Sequence, residues 1–277
     1  MKKILLMAMA VVLLSTLKVL ATGIYANSDD PLTDGSLEHP YEIATAEHFL
    51  SMNQDLGTDE MLFFKITADI DLAGMGDNPD GSFSDSIIAP VSGPRLNCVI
   101  FGCEHIISNA RIDNPEGQEM ALFGKIHGFI YDLGIENIEV NGRFSVAGLA
   151  WDFAGKLNNC YITGKISADV GAYGVAGTFY ESDNNYFPTN YSAMELESRL
   201  LPSEINAFAQ TPYSSNTYCD YELAGKDYGQ STTSNMQNED YYKGWEFTDF
   251  NTGQTGKWFM PENSYPVFAS SGNCQAK

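Results

Sequence analysis

Four carboxylates, Asp113, Asp132, Glu136 and Asp152, lie in the middle of the chain and are the residues whose pairing would carry chemistry. Two carboxyl groups held about 5 to 9.5 Å apart act as acid and as nucleophile or base in glycoside cleavage, so these four define a polysaccharide lyase or glycosidase reading. They share no motif of fixed spacing. In a chain with 36 Asp and Glu, most acids must face water or bond turn backbone.

Other reactive groups are sparser. His39, His48, His105 and His127 are scattered, with no HExxH and no Gly-x-Ser-x-Gly, so metallopeptidase and nucleophile-elbow chemistry have no anchor. The run DNPDGSFSD offers Asp77, Asp80 and Asp85, with Asn78, as oxygen ligands for calcium, although it misses the EF-hand spacing. Its plainer reading is a solvated acidic loop, and Asp69 and Asp71 of TADIDL stand on one strand face beside it. Tyr180, Tyr186 and Tyr191 cluster after the central stretch and form a candidate ligand platform for a glycan or a protein partner. Against that stands a reading in which Trp245, Trp258 and Phe259 fill a core and the tyrosines line its rim. Five Cys are too few for a disulfide-framed miniprotein; Cys98 with Cys103 and Cys219 with Cys274 are the pairs to consider, and Cys160 reads as a small core residue.

Composition bounds the partners. With 277 residues, 44% of them hydrophobic, the chain can bury a sizeable core. Its net charge of -21 repels nucleic-acid phosphates and anionic lipid headgroups, so no nucleic-acid role is expected. Lys2 and Lys3 precede an apolar run from Ile4 to Leu14 that is too short to span a membrane, the pattern of a secretory signal. Cleavage after Ala21 or after Ala26 is compatible with it, and Ala21 is preferred because Val19 is smaller than Ile24 at the third residue before the cut. Either cut leaves 12 basic against 36 acidic residues. No later apolar stretch reaches about 18 residues, so no membrane span and a secreted or cell-surface location are expected.

The positioning elements follow from periodicity. Thr45 predicts the start of a helix running to about Asp55, with Phe49, Leu50 and Leu56 on roughly one face. From Met61 onward, short apolar runs are broken by Gly, Asp, Asn or Pro, which is all-β patterning. Aligning Ala110, Leu133 and Cys160 gives spacings of 23 and 27 residues, and a second row at Ala121, Gly148 and Gly177 gives 27 and 29. Two interleaved rows of one period predict a right-handed parallel β-helix, a solenoid whose N-terminal end is capped by the Thr45 helix. A polar stretch over 181–216 reads as an insertion with a short helix from Ser192 to Leu201, and 217–277 as a non-repeating C-terminal cap.

These segments, in order, carry a family likeness. PYEIATAEHFLSM, FFKITADIDLAG, VIFGCEHIISNARID, ALFG, IYDLGIENIEVNG, VAGLA and LNNCYITGKI resemble the bacterial GLUG-motif proteins, and the tail with TTSNM, GWEF, KWFM and SYPVF is similar to the ending of many of them. FGCEH stands where that family has DGNGH, and WDFAG where a Gly-rich turn is usual. The resemblance implies a GLUG-like β-helix domain over 40–180 after a signal peptide of 1–21 (or 1–26), and an extracellular setting, but no catalytic mechanism. The expectation is therefore a secreted non-catalytic β-helix in an adhesin-like or matrix role, acting on a glycan or protein at the cell exterior. A carbohydrate-active enzyme is the alternative.

Overall fold

The computed structural model describes residues 25–180, 190–208, 217–225 and 232–270. The predicted signal segment, Tyr186 and Cys274 lie outside them.

The chain winds as a parallel β-helix. The first rung holds β1 (Tyr41–Ile43), the second β2 (Leu62–Ile66) and β3 (Ile70–Asp71), and the third β4 (Leu96–Ser108) and β5 (Arg111–Asp113). β6 (Phe123–Ala147) makes almost a whole turn, β7 (Ala150–Asn158) and β8 (Tyr161–Tyr173) the next. β9 (Ala176–Tyr180), β10 (Asn190–Ser198), β11 (Ile205–Asn206) and β12 (Thr217–Cys219) finish the coil, and every pairing between these strands is parallel. Because side chains alternate across a strand, each rung sends one residue in two to the axis. Stacked rungs then pile like on like. Phe64, Ile100, Ile130 and Leu157 form one inward column, Leu96, Ile126, Phe153 and Phe179 a second. Ile70, Ile107, Ile135 and Ile162 form a third, and Ile112, Val140, Ile166 and Leu196 a fourth. Each such side chain withdrawn from water contributes roughly 1.5–3 kcal/mol before entropy is charged against it.

Corners are set by residues that tolerate left-handed backbone. Asp132 (φ 52°) and Asn159 (φ 53°) turn the first face into the second, and Asn109 (φ 57°) and Asn137 (φ 53°) turn the second into the third. Short amide and carboxylate side chains hydrogen-bond locally and reach that conformation at low cost. They also ladder between rungs. Asn159 donates to Asp132 at 2.8 Å and Asn137 to Asn109 at 2.7 Å.

The expected repeat alignment is off in two places. Gly134 stands opposite both Ile106 and Tyr161, so Leu133 has His105 as its partner on the rung before, not Ala110. The cause is the FGCEH corner, where Cys103 and Glu104 are both left-handed and the register shifts. In the second row, Ala147 stands opposite Tyr173 and Ala150 opposite Ala176, which puts Gly148 against Gly174 rather than Gly177. The central inference holds: Leu133 and Cys160 both lie in the buried core.

Both ends are closed. The helix α1 (Ala46–Ser51) starts where Thr45 accepts from the His48 backbone N–H, and a 3-10 turn, Met52–Gln54, continues it. Phe49 and Met52 are buried, Phe49 with its ring 5.9 Å from that of Phe123. The bare edge of β1 is closed by a different segment. The Ala26 N–H donates to the Glu42 carbonyl at 2.8 Å, and Asn27 bonds both Pro40 and Glu42 through its side chain. At the other end β12 adds the last rung and Ala224 plugs it.

The helix expected from Ser192 to Leu201 does not form. Those residues largely belong to β10, which pairs with β8 over eight positions, so the coil continues past 180. The register explains it: Ala193, Met194 and Leu196 fit the pleat of a rung already in place, and tertiary pairing overrides a local capping signal. The remaining tail, 232–270, with α2 (Thr233–Met236) and the antiparallel β13 (Trp258–Phe259) and β14 (Val267–Phe268), packs an aromatic cluster against the outside of the second face.

Candidate functional site

On the third face the outward residues form two polar columns. Arg111, Glu139, Lys165 and Glu195 stand in register on successive rungs, and Asp113, Asn141, Ser167 and Glu197 stand beside them. Their side chains are tied across rungs. Arg111 donates to Asp80 at 2.6 Å and to Asp113 at 2.7 Å; Asn141 donates to Asp113 at 2.8 Å; Lys165 donates to Glu195 at 2.7 Å; Ser167 donates to Glu197 at 3.0 Å. Arg199, on the turn after β10, reaches back across the face. Its Nε donates to Asp169 at 2.8 Å, its Nη1 to the Asn141 side-chain oxygen at 3.2 Å and its Nη2 to the Gly142 carbonyl at 3.2 Å.

These groups enclose a cleft of about 260 Å³ lined by Arg111, Asp113, Glu139, Asn141, Lys165, Ser167 and Arg199, with Ile112 and Val140 at its floor. The exposed salt bridges contribute little stability one by one. Their effect is to hold guanidinium, carboxylate, amide and hydroxyl groups at fixed positions. Asp80, in particular, keeps its carboxyl ionised down to a pKa of about 2, because Ser82 donates to it from hydroxyl and backbone and Arg111 sits against it.

None of these cleft groups except Asp113 was singled out by the sequence. The signal was present: a charged residue recurs at 111, 139, 165 and 195, at rung spacing, and alternates in sign. It is hidden because the intervals differ and one rung's worth of chain separates each member from the next.

The four candidate acids are dispersed over different parts of the coil. Asp113 is on the third face with Arg111 and Asn141. Asp132 is at a corner, taken by Asn159 and Lys257. Glu136 is on the second face and accepts from the Tyr161 hydroxyl. Asp152 is on the first face, in register with Lys125 and Thr178. Nor do Asp77, Asp80 and Asp85 converge: Asp77 accepts from Ser84, Asp80 from Ser82 and Arg111, and Asp85 from the Ser86 backbone. Among the described residues no group of three or more His, Cys, Asp or Glu could hold a metal ion.

The tyrosine platform is corrected. Tyr180 is 60% exposed, but Tyr191 is buried, stacked on Tyr161 at 5.1 Å and donating its hydroxyl to the Pro266 carbonyl at 2.7 Å. It is covered because Tyr161, Tyr191 and Tyr218 form one outward column on the second face, and the tail lays Trp245, Trp258, Tyr265 and Phe268 over it. A different aromatic row is half exposed. Phe63, Phe101 and Tyr131 stack along the first face at 6.4 and 5.9 Å, with Phe129 beside Tyr131.

The cysteine pairings are corrected too. Cys98, Cys160 and Cys219 are free and buried, and Cys103 is disulfide-bonded, so neither Cys98 with Cys103 nor Cys219 with Cys274 is joined. Burial pushes the Cys160 and Cys219 thiols up to about 12, which leaves them inert as nucleophiles. Next to Cys103, the buried Glu104 carboxylate takes Lys257 at 3.6 Å and Ser270 at 3.0 Å. The irregular FGCEH corner is thus where the tail is fastened to the coil.

No family model matches the chain. Over 150 residues, 52% of its length, it is 27% identical to Halomucin from Haloquadratum walsbyi, and it spans 2% of the length of that curated relative. Among solved structures it is similar to one from Bacteroides ovatus, provisionally assigned as an immunoglobulin A1 protease. That similarity has a TM-score of 0.41 at 15% identity and covers 90% of this chain and 96% of the other. Among the described residues no helix is long and apolar enough to cross a membrane.

Proposed function

We propose that the protein is an exported, non-catalytic β-helix that binds a glycan or protein at the cell exterior, in an adhesin-like or matrix role. The observation that carries this reading is the distribution of the acids. Most glycosidases work with two free carboxyl groups facing one cleft, whereas here Asp113, Asp132, Glu136 and Asp152 stand apart, three of them already engaged by Arg111, Lys257 or Tyr161. The two carboxylates that do share a cleft, Asp113 and Glu139, are both paired with Arg111. The coil instead presents a rigid polar surface. The GLUG-like order of segments and the Halomucin similarity are in keeping with an exterior setting.

The test against the carbohydrate-active alternative is a panel of neutral and acidic polysaccharides incubated with the mature protein and analysed for new reducing ends and unsaturated products. No cleavage is expected. Cleavage that disappears in Asp132→Asn or Asp152→Asn would replace this reading with the enzymatic one.

Export carries its own prediction. Tyr25 is buried, stacked on Tyr41 at 4.5 Å with its hydroxyl donating to Asp55, and Ala26 pairs with β1. A cut after Ala26 would delete the buried Tyr25 and the Ala26 bond to β1, leaving only Asn27 on that edge, so the mature chain is expected to begin at Thr22. Intact mass of the exported protein checks this. A chain started at Asn27 loses an aromatic side chain from the core, worth about 3 kcal/mol or roughly 10 °C in melting temperature.

A further inference from the structure

Resting on the binding reading above, we infer that the third-face cleft is the binding site and that its ligand is an uncharged, hydroxyl-rich glycan chain. Three features point to that chemistry. The first is the pattern of groups. Carboxylates of Asp113 and Glu139, the amide of Asn141, the hydroxyl of Ser167 and the cationic N–H groups of Arg111, Lys165 and Arg199 all line one cleft. Acceptors and donors therefore alternate over a short distance. A sugar hydroxyl donates one hydrogen bond and accepts others, so adjacent hydroxyls of one ring can engage both kinds of group at once.

The second feature is charge. Arg111 faces Asp80 and Asp113, Lys165 faces Glu195, and Arg199 faces Asp169. No cation in the cleft is left to capture an anion, and the surrounding chain carries a net charge of -21, so a polyanionic glycan would be repelled as it approached. A neutral chain meets neither obstacle. The third feature is rigidity. Apart from Arg199, the lining residues sit on β5, β6 and β8, which pair without a register break over these positions, and Arg199 ties two rungs together. Little conformational freedom remains to be lost on binding, which is what preorganised polar recognition requires. The cleft also lacks the Trp and Tyr side chains that anchor protein partners, Arg aside.

The experiment uses the full mature chain on an array of immobilised neutral and acidic glycans, with hits repeated as soluble oligosaccharides by calorimetry at low and high salt. Two cleft variants are compared, Lys165→Ala and Ser167→Trp, the second a physical block that does not depend on charge. Leu32→Ala, on an exposed residue outside the cleft, is the control, and melting temperature verifies folding of each. The expected result is binding of neutral glycans that varies less than twofold with salt, falls at least tenfold in both cleft variants and is unchanged in Leu32→Ala. Neutral-glycan binding that survives both cleft variants would overturn the assignment of the site. Binding confined to acidic glycans and lost at high salt would overturn the ligand class. If no glycan binds while a protein array yields a partner, the glycan inference fails and the exterior-binding function stands; if bound glycan is cleaved, the non-catalytic reading itself fails.

Discussion

Alanine at position 128 is expected to destabilise the coil severely. Gly128 adopts φ +144°, and a Cβ there would lie 1.8 Å from the Cys98 carbonyl oxygen on the rung before. The next rung repeats the problem, since a Cβ on Gly155 would lie 1.6 Å from the Gly128 carbonyl oxygen. Leu62, Cys98, Gly128 and Gly155 form one column, in which the backbones of the later rungs pass too close for any side chain. Neither neighbour is a flexible side-chain end. Relief would require two rungs to separate, breaking ladder hydrogen bonds on both sides, a loss of more than about 4 kcal/mol. Against a total stability of order 5–15 kcal/mol, that removes from about a quarter to most of the margin. Gly225→Ala is the comparator, because Gly225 also has a positive φ, +71°, but nothing lies within 4 Å of its added Cβ. That variant should lose only the left-handed strain, about 1–2 kcal/mol. Soluble yield and circular-dichroism melting of the two variants decide the matter: a Gly128→Ala protein melting within a few degrees of Gly225→Ala would mean the rungs do not stack in this register.

Trp258→Ala is expected to loosen the aromatic cluster of the tail and leave the coil standing, the tail still tied to the FGCEH corner through Lys257 and Ser270. The Trp258 ring is 1% exposed and lies 4.5 Å from Trp245, 4.9 Å from Phe268 and 6.1 Å from Tyr161. Removing it should cost about 3–5 kcal/mol. The loss falls on the tail cluster, which is distinct from the column core. The far-ultraviolet signal of the sheet should therefore persist while the near-ultraviolet aromatic signal collapses and proteases cut within 232–270. Loss of the sheet signal in parallel would show instead that the tail is integral to the coil.

The same cluster makes the docking sensitive to base. Burial raises the Tyr161, Tyr191, Tyr242 and Tyr265 hydroxyls above the ordinary tyrosine value, with the Glu136 carboxylate adding to it at Tyr161 and the Asp220 carboxylate at Tyr265. A raised folded-state pKa means the neutral hydroxyl is the form that fits. Its stabilisation is complete below the unfolded value of about 10 and is lost as pH climbs above it. Tryptophan fluorescence of the parent followed from pH 8 to 12 should accordingly report undocking only above about pH 10.

Much of the architecture was legible without coordinates because its causes are local. An apolar residue every second position, interrupted by Asn, Asp or Gly at intervals near one rung, specifies strands and left-handed corners, and a repeated pattern of that kind can bury itself only by stacking. The inward placing of Leu133 and Cys160 followed from this, as did the Thr45 cap of α1. What the pattern cannot contain is how many residues a corner consumes. FGCEH takes up extra chain at a register shift, so Ala110 was matched to Leu133 when His105 is its partner. Ser192 to Leu201 failed for a related reason. Its local signal for a helix is outweighed by the pairing offered by β8, a neighbour some 30 residues earlier.

The surface was decided at longer range still. Tyr191 alternates along its strand as any outward residue does, and only the arrival of Pro266, 75 residues later, makes it a buried one. Arg199 and Asn141 are 58 residues apart and meet across one face. Alternation along a strand assigns each side chain to the inside or the outside of the coil, a matter of backbone geometry alone. Whether an outward side chain then meets water, a distant segment or a ligand depends on which other part of the chain has the shape and charge to settle against it. That complementarity exists only once the rungs are stacked.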